Sequence, residues 1–147
     1  MTLSKEEIRE VVAKTMLFHS LSDEARAAVV DCAEARDFAA DEVVVEEGCA
    51  VTGLALMVSG SVRVFTTGMR GEHLELKVLN AGAYFGEVGF LNKMPATATV
   101  AGLEAGTLVL FPSAALDSVI VPFPQVRKVL ERLALRRAED TIEKTLK

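Results

Sequence analysis

The sequence predicts a mainly β domain, a sandwich or barrel of short strands with helices at both ends, and three observations carry that reading. Between Asp37 and Pro112 the chain is written in short β-type runs: Val43 to Val45, Leu54 to Val58, Val62 to Phe65, Leu74 to Leu79, Ala98 to Ala101 and Thr107 to Phe111. Glycines at 48, 53, 60, 68, 71, 82 and 106 fall in or beside the gaps and supply turns. Before and after this block, apolar residues recur instead at helical spacing. At 147 residues the chain fits one domain, with helices over 1–36, the β-barrel over 37–112, and a hinge and long helix over 113–147.

Each element has a local reason. Ser4 with Glu7 has the spacing of a capping box, and Ile8, Val11 and Val12 follow on one helical face. Ser22 is a good N-cap for a second helix, with Asp23 and Glu24 in its positive first turn and Ala25, Ala28, Val29 and Cys32 on one face. Cys32 therefore reads as a small core residue and not as a nucleophile. Val62 and Val64 alternate with Arg63, and Leu74, Leu76 and Val78 with Glu75 and Lys77, which predicts strands with one buried and one wet face. Ser113 can cap a short helix from Ala114 to Val121, Pro122 and Pro124 interrupt it, and a last helix runs from about Gln125 to Leu146. Its stripe of Val126, Val129, Leu130 and Leu133 shifts sideways near Arg136 into Leu135, Ala138, Ile142 and Leu146. Two surfaces in succession are expected, the barrel first and then a second chain, which would make a homodimer through this helix.

Composition excludes several functions. The net charge of −5 argues against a nucleic-acid partner, since phosphate binding draws on clustered Lys and Arg. The densest basic group, Arg132, Arg136 and Arg137, is interleaved with Glu131, Glu139 and Asp140 as on a solvated helix face. No secretion leader is visible, no apolar run approaches the length of a membrane span, and Cys32 and Cys49 form no C-x-x-C pair. A cytoplasmic protein with free thiols is expected. His19 and His73 stand apart from any ligand cluster, so no metal is expected, and no catalytic motif is present, so the chain is not expected to be an enzyme.

The stretch Tyr84 to Val100, Y-F-G-E-V-G-F-L-N-K-M-P-A-T-A-T-V, resembles the phosphate-binding cassette of the cyclic-nucleotide-binding domain family, in which F-G-E-L-A-L-L is followed by a loop and P-R-[TSA]-A-T-V. L-F-H-S-L-S-D-E at Leu17 to Glu24 is similar to the family's opening helix, and L-A-L-M-V-S-G-S-V-R-V at Leu54 to Val64 to its hairpin. The family includes catabolite-activator-like transcription factors and protein kinase A regulatory subunits. The resemblance implies a jelly-roll β-barrel with N-terminal helices and a C-terminal helix that serves as lid or dimer element. Because the sequence ends at Lys147, a stand-alone domain without a DNA-reading module is expected.

The resemblance also implies a ligand site. Gly86, Glu87 and Val88 would open the cassette, with the glycine letting backbone approach a phosphate and Glu87 accepting from a ribose hydroxyl. From position alone, Glu87 is an exposed acid at a helix start. Ala96, Thr97 and Ala98 would form the second half, with Ala96 standing where the family has an Arg that clamps the phosphate. Lys93 in the same loop reads as solvated. Val64 and Leu76 would wall the sugar and base pocket, although periodicity alone makes both ordinary core residues. The function implied is a regulatory sensor for a small anionic ligand, cyclic AMP or cyclic GMP, weakened at Ala96. The alternative is a degenerate domain that binds no nucleotide and acts as a protein-interaction or dimerisation module. No cofactor is implied beyond that ligand.

Overall fold

A computed structural model describes residues 3–15 and 18–146, with residues 136–146 as helix backbone alone. Leu17 lies outside the described residues. Helix α1 (Lys5–Lys14) begins at the expected capping box: Ser4 Oγ accepts from the Glu7 N–H and Glu7 Oε1 from the Ser4 N–H, both at 3.2 Å. Helix α2 (Asp23–Cys32) is capped by Ser22, whose hydroxyl accepts from the Ala25 N–H. The segment before it is not the opening helix that the motif implied, because α2 starts only at Asp23. Phe18 is fully buried edge-on against Phe111, and the Arg26 guanidinium donates to the carbonyls of His19 and Leu21, fixing a turn in place of helix.

Lys5 joins the two helices. Its ammonium donates to the carbonyls of Val30, Asp31 and Ala33 at 3.0 to 3.2 Å, satisfying acceptors at the C-terminal end of α2 where the helix dipole favours a cation. Cys32, at the end of the same helix, donates its thiol to the Val29 carbonyl. Burial pushes that thiol up to about 11, so it stays protonated and inert near neutral pH.

Strands β1 (Glu34–Phe38), β2 (Val43–Val45), β3 (Gly53–Thr67), β4 (His73–Leu79), β5 (Tyr84–Phe85) and β6 (Thr99–Pro112) form one antiparallel sheet. Four of the short runs read from the sequence merge into two long strands, β3 and β6, and β1 and β5 are additional. The sheet follows the path β1-β6-β3-β4, with β2 also on β6 and β5 also on β3. It is not a closed barrel, because β1 and β4 end the path as edges and do not pair with each other.

The merged strands explain the glycines that the sequence offered as turns. Gly53, Gly60 and Gly106 lie inside β3 and β6. Gly60 sits at φ 76°, and a Cβ there would lie 2.6 Å from the carbonyl oxygens of both Glu104 and Ala105. Register shifts between Met57 and Val62 mark the same place, so the two strands bend together where a side chain cannot fit.

Between the bend and the Gly53–Pro112 end the strands alternate between two cores, and beyond the bend they face the second alone. Leu54, Leu56, Val109 and Phe111 pack with the helices, against Ile8, Val12, Phe18, Val29 and Leu116. Ala55, Met57, Val62, Val64, Leu108 and Phe85 pack on the opposite side with Phe38, Leu79 and Val100. A strand buried on both faces needs a continuous apolar run, which is what Leu54 to Val58 supplies.

Strand β4 departs from its expected facing. Register pairs Val62 with Leu79 and Val64 with Lys77, then shifts so that Phe65 faces Glu75 and Leu76 is the extra residue of a bulge. Cross-strand partners share a face, so Leu79 and Lys77 lie on the side of Val62 and Val64, while Val78 pairs outward with Arg63. Leu74, Leu76 and Val78, expected to be buried, are exposed instead.

After β6, α4 (Ser113–Ile120) starts from Pro112 as N-cap, and Ser113, expected as the cap, is its first residue and donates its N–H to the Thr52 carbonyl. Helix α5 (Gln125–Leu146) is anchored where it begins: Gln125 accepts from the Ser22 N–H, tying it to the start of α2. Val126 and Leu130 are fully buried and Val129 and Leu133 partly so, as the first stripe predicts, whereas Leu135 is 62% exposed. The rest of the second stripe, Ala138, Ile142 and Leu146, and the side chains of Arg136 and Arg137 lie outside the described residues. Among the described residues no helix is long and apolar enough to cross a membrane.

Two outcomes test this packing. Lys5→Met should lower unfolding free energy in urea by about 1 kcal/mol, because carbonyls at the end of α2 lose a charged donor. With a thiol reagent at pH 8, exposed Cys49 should label first and part-buried Cys32 more slowly; equal rates would contradict the partial burial and raised pKa of Cys32.

Candidate functional site

The candidate site is built at the point where β5 runs into α3 (Glu87–Asn92). β5 pairs with β3 through Phe85 and Ala55, which sends the chain past the β3 backbone at Gly53. Gly86 then takes φ 90° as N-cap of α3, and a Cβ at that position would sit 2.5 Å from the Gly53 carbonyl oxygen. Both the left-handed conformation and the contact require glycine. Gly89, one turn on, is required by space alone, since a Cβ there would meet the Val51 side chain at 2.3 Å.

Glu87 is not the exposed acid that its position suggests. It is 3% exposed, held at the floor of the site with Phe90 beside it in the core. A carboxylate taken from water needs polar partners, so its burial in a short helix is a specific arrangement and not a solvated default. Helix α3 ends at Lys93, which adopts φ 53°. The Lys93 ammonium makes an ion pair with Asp117 of α4 at 2.8 Å and lies over the Phe90 ring, so it is directed away from the site to which the loop could have lent it.

The loop after α3 is sewn to the segment before β3. Ala96 donates its N–H to the Cys49 carbonyl and accepts from the Gly48 N–H, each at 2.9 Å, and Ala50 bridges Pro95. Thr99, at the start of β6, accepts from the Glu47 N–H. These bonds hold the turn 95–98 from behind and leave Thr97 as the polar residue on its cavity side.

Together these elements enclose a cavity of about 320 Å³, within the size of small-molecule sites. Gly86, Glu87 and Val88 line it from α3, Ala96, Thr97 and Ala98 from the turn, and Val64 from β3. Seven of the eight residues singled out in the sequence are thus brought together. Leu76 is the exception: it is 57% exposed on the outer face of β4, because the bulge turns its neighbour Lys77 inward. Sequence reasoning missed Lys77, the walls Val51, Phe85 and Met94, and Ala134, which reaches the rim from α5. Phe85 stood inside the cassette motif and was legible there. Lys77 carried no signal, since strict alternation assigned it to solvent. Among the described residues, Lys77 and Glu87 are the only ionisable groups lining the cavity, and no group of three or more His, Cys, Asp or Glu side chains is placed to hold a metal.

Comparison with known proteins gives the arrangement a relation. The chain is 37% identical over 89 residues to a cAMP-dependent protein kinase regulatory subunit of Mycosarcoma maydis, covering 60% of this chain and 17% of that protein. It spans less than a fifth of the length of the curated relatives it matches. Among solved structures, the regulatory domain of Toxoplasma gondii PKA in co-crystal with cAMP superposes with a TM-score of 0.81 at 18% identity, covering 92% of this chain and 50% of that one. The regulatory subunit of a cAMP-independent protein kinase A from Trypanosoma brucei superposes with a TM-score of 0.79, also at 18% identity, covering 97% and 52%. One fold therefore serves a cAMP-bound and a cAMP-independent protein, and fold likeness at this identity does not choose the ligand. Residues 35–121, more than half of the sequence, match the family described as the cyclic nucleotide-binding domain, and this chain belongs to that family.

Proposed function

We propose that this protein is a non-catalytic sensor that takes a small anionic ligand, cyclic AMP or cyclic GMP, between α3, the 95–98 turn and β3, and closes α5 over it. The observation that carries the reading is the convergence of Gly86, buried Glu87 and Thr97 on one cavity of about 320 Å³, in a chain of a ligand-binding regulatory family. In this reading Glu87 accepts from a ribose hydroxyl and Thr97 donates to phosphate oxygens. Ala134 at the cavity rim gives α5 direct contact with a bound ligand, and binding biases the position of that helix for a partner protein to read. A cytoplasmic setting belongs to the same reading, supported by two free thiols.

Ala96 sets the strength. A charge-assisted arginine fork is absent from the turn, and losing one partner of a buried charged pair costs roughly 2 to 5 kcal/mol. That is on the order of 30- to several-thousand-fold in affinity, which moves a micromolar sensor toward the millimolar range.

A second reading, an interaction or dimerisation module acting through α5, is favoured by one observation: Leu135 stands exposed just past the docked stripe of Val126 and Leu130.

Calorimetric titration with cyclic AMP and cyclic GMP tests the first reading. Glu87→Ala should weaken binding about tenfold by removing a charged acceptor. Ala96→Arg should strengthen it by about 30-fold or more. No heat and no thermal shift at millimolar ligand for either the natural chain or the Ala96→Arg variant would sink it. For the second reading, sedimentation should show self-association that Leu135→Glu abolishes; a monomer at every concentration that captures no partner would exclude it.

A further inference from the structure

With Ala96 in the turn, an anionic ligand needs its countercharge from elsewhere, and among the described residues the positions of the nearby cations leave one source. Lys93, the base nearest in sequence, is committed to Asp117 at 2.8 Å and to the face of Phe90. Arg63 pairs with Val78 on the outward side of the β3–β4 hairpin and lies over the Phe65 ring, 5.1 Å from its centre. Lys77 alone among the described bases lines the cavity. It does so because of the bulge at Leu76: register places Lys77 opposite Val64, itself a cavity wall, so both side chains project to the interior side.

We infer that Lys77 is the charge-selecting residue of this pocket, supplying from the sheet the cation that Ala96 does not supply from the turn. This deepens the proposed sensor function and rests on it. The lining contains Glu87 as its acid and Lys77 as its base. Without Lys77 an anion would enter beside a buried carboxylate with no positive side chain among the described residues of the lining to offset the repulsion. An ammonium on a flexible stem is a point charge with rotatable donors, unlike a planar fork. The pocket is therefore selective for the presence of negative charge on the ligand more than for its geometry, and it should accept different anionic groups on one scaffold with similar affinity.

Four proteins decide it: the natural chain, Lys77→Met, Ala96→Arg and the double variant, titrated calorimetrically with cyclic AMP and with adenosine as its uncharged counterpart. Lys77→Met should weaken cyclic AMP binding about tenfold or more and leave the response to adenosine unchanged. Lys77→Arg should restore cyclic AMP binding. In the Ala96→Arg background, Lys77→Met should matter much less, since a guanidinium in the turn then carries the charge. A melting temperature recorded for each variant, together with the unchanged response to adenosine, separates a binding effect from a folding one. Cyclic AMP binding by the natural chain that survives Lys77→Met overturns the inference. So does equal weakening of cyclic AMP and adenosine. Binding by Ala96→Arg with none by the natural chain also overturns it, while leaving the cassette reading intact. If neither the natural chain nor Ala96→Arg binds cyclic AMP, the sensor reading itself fails and this inference falls with it.

Discussion

The pairing of β3 with β6 is the constraint on which the rest of this structure depends. Two long strands run antiparallel from Gly53 with Pro112 to Phe65 with Thr99, and every other strand attaches to one or the other. Their shared bend at Gly60 and Gly106 divides the ladder in two. One half carries β1 and β5 and offers Leu54, Leu56, Val109 and Phe111 to the helices; the other carries β2 and β4 and offers Val62, Val64 and Val100 to the interior. A Cβ at Gly106 would lie 2.1 Å from the Ser59 carbonyl oxygen, so a larger residue there would push the two strands apart. Because β5 rides on β3 and the 95–98 turn feeds directly into β6, the same ladder sets the separation of the two halves of the candidate site.

That site is held by backbone more than by side chains. Gly86 passes the Gly53 carbonyl at a distance no other residue permits, and Ala96 is bonded on both sides of its peptide to the segment 48–49. The shape of the cavity does not depend on a guanidinium at position 96. A cassette can keep its form after the residue that gives it most of its electrostatic strength is gone, since form comes from hydrogen bonds and glycines and strength from charge. Glu87, the single buried acid among the described residues, then makes the balance of charge in the lining the property that decides which ligands enter.

Much of this was legible in the residues. The capping box at Ser4 and the N-cap at Ser22 placed the starts of α1 and α2, and the last helical stripe placed α5, because those signals are local and need no partner. The cassette motif gathered six cavity residues because a turn, a short helix and a second turn are local as well. The failures share one cause. Leu54 to Val58 and Val62 to Phe65 read as two strands because Gly60 resembles a turn, and only the partner strand shows that the chain continues through it. Leu74, Leu76 and Val78 read as buried because alternation says which residues share a face and not which face looks inward.

By itself, the sequence determined the class of fold, the family, the position of the cassette and the loss of its arginine, since each is written in local pattern or in a single letter. Tertiary structure decided that the sheet stays open, that Glu87 is buried, that Lys93 is drawn away to Asp117, and that Lys77 and not Leu76 faces the cavity. Each of those depends on how separate elements meet, and the facing of Lys77 on the register of β4 against β3. A one-residue bulge there inverts the facing of everything beyond it without changing any local preference.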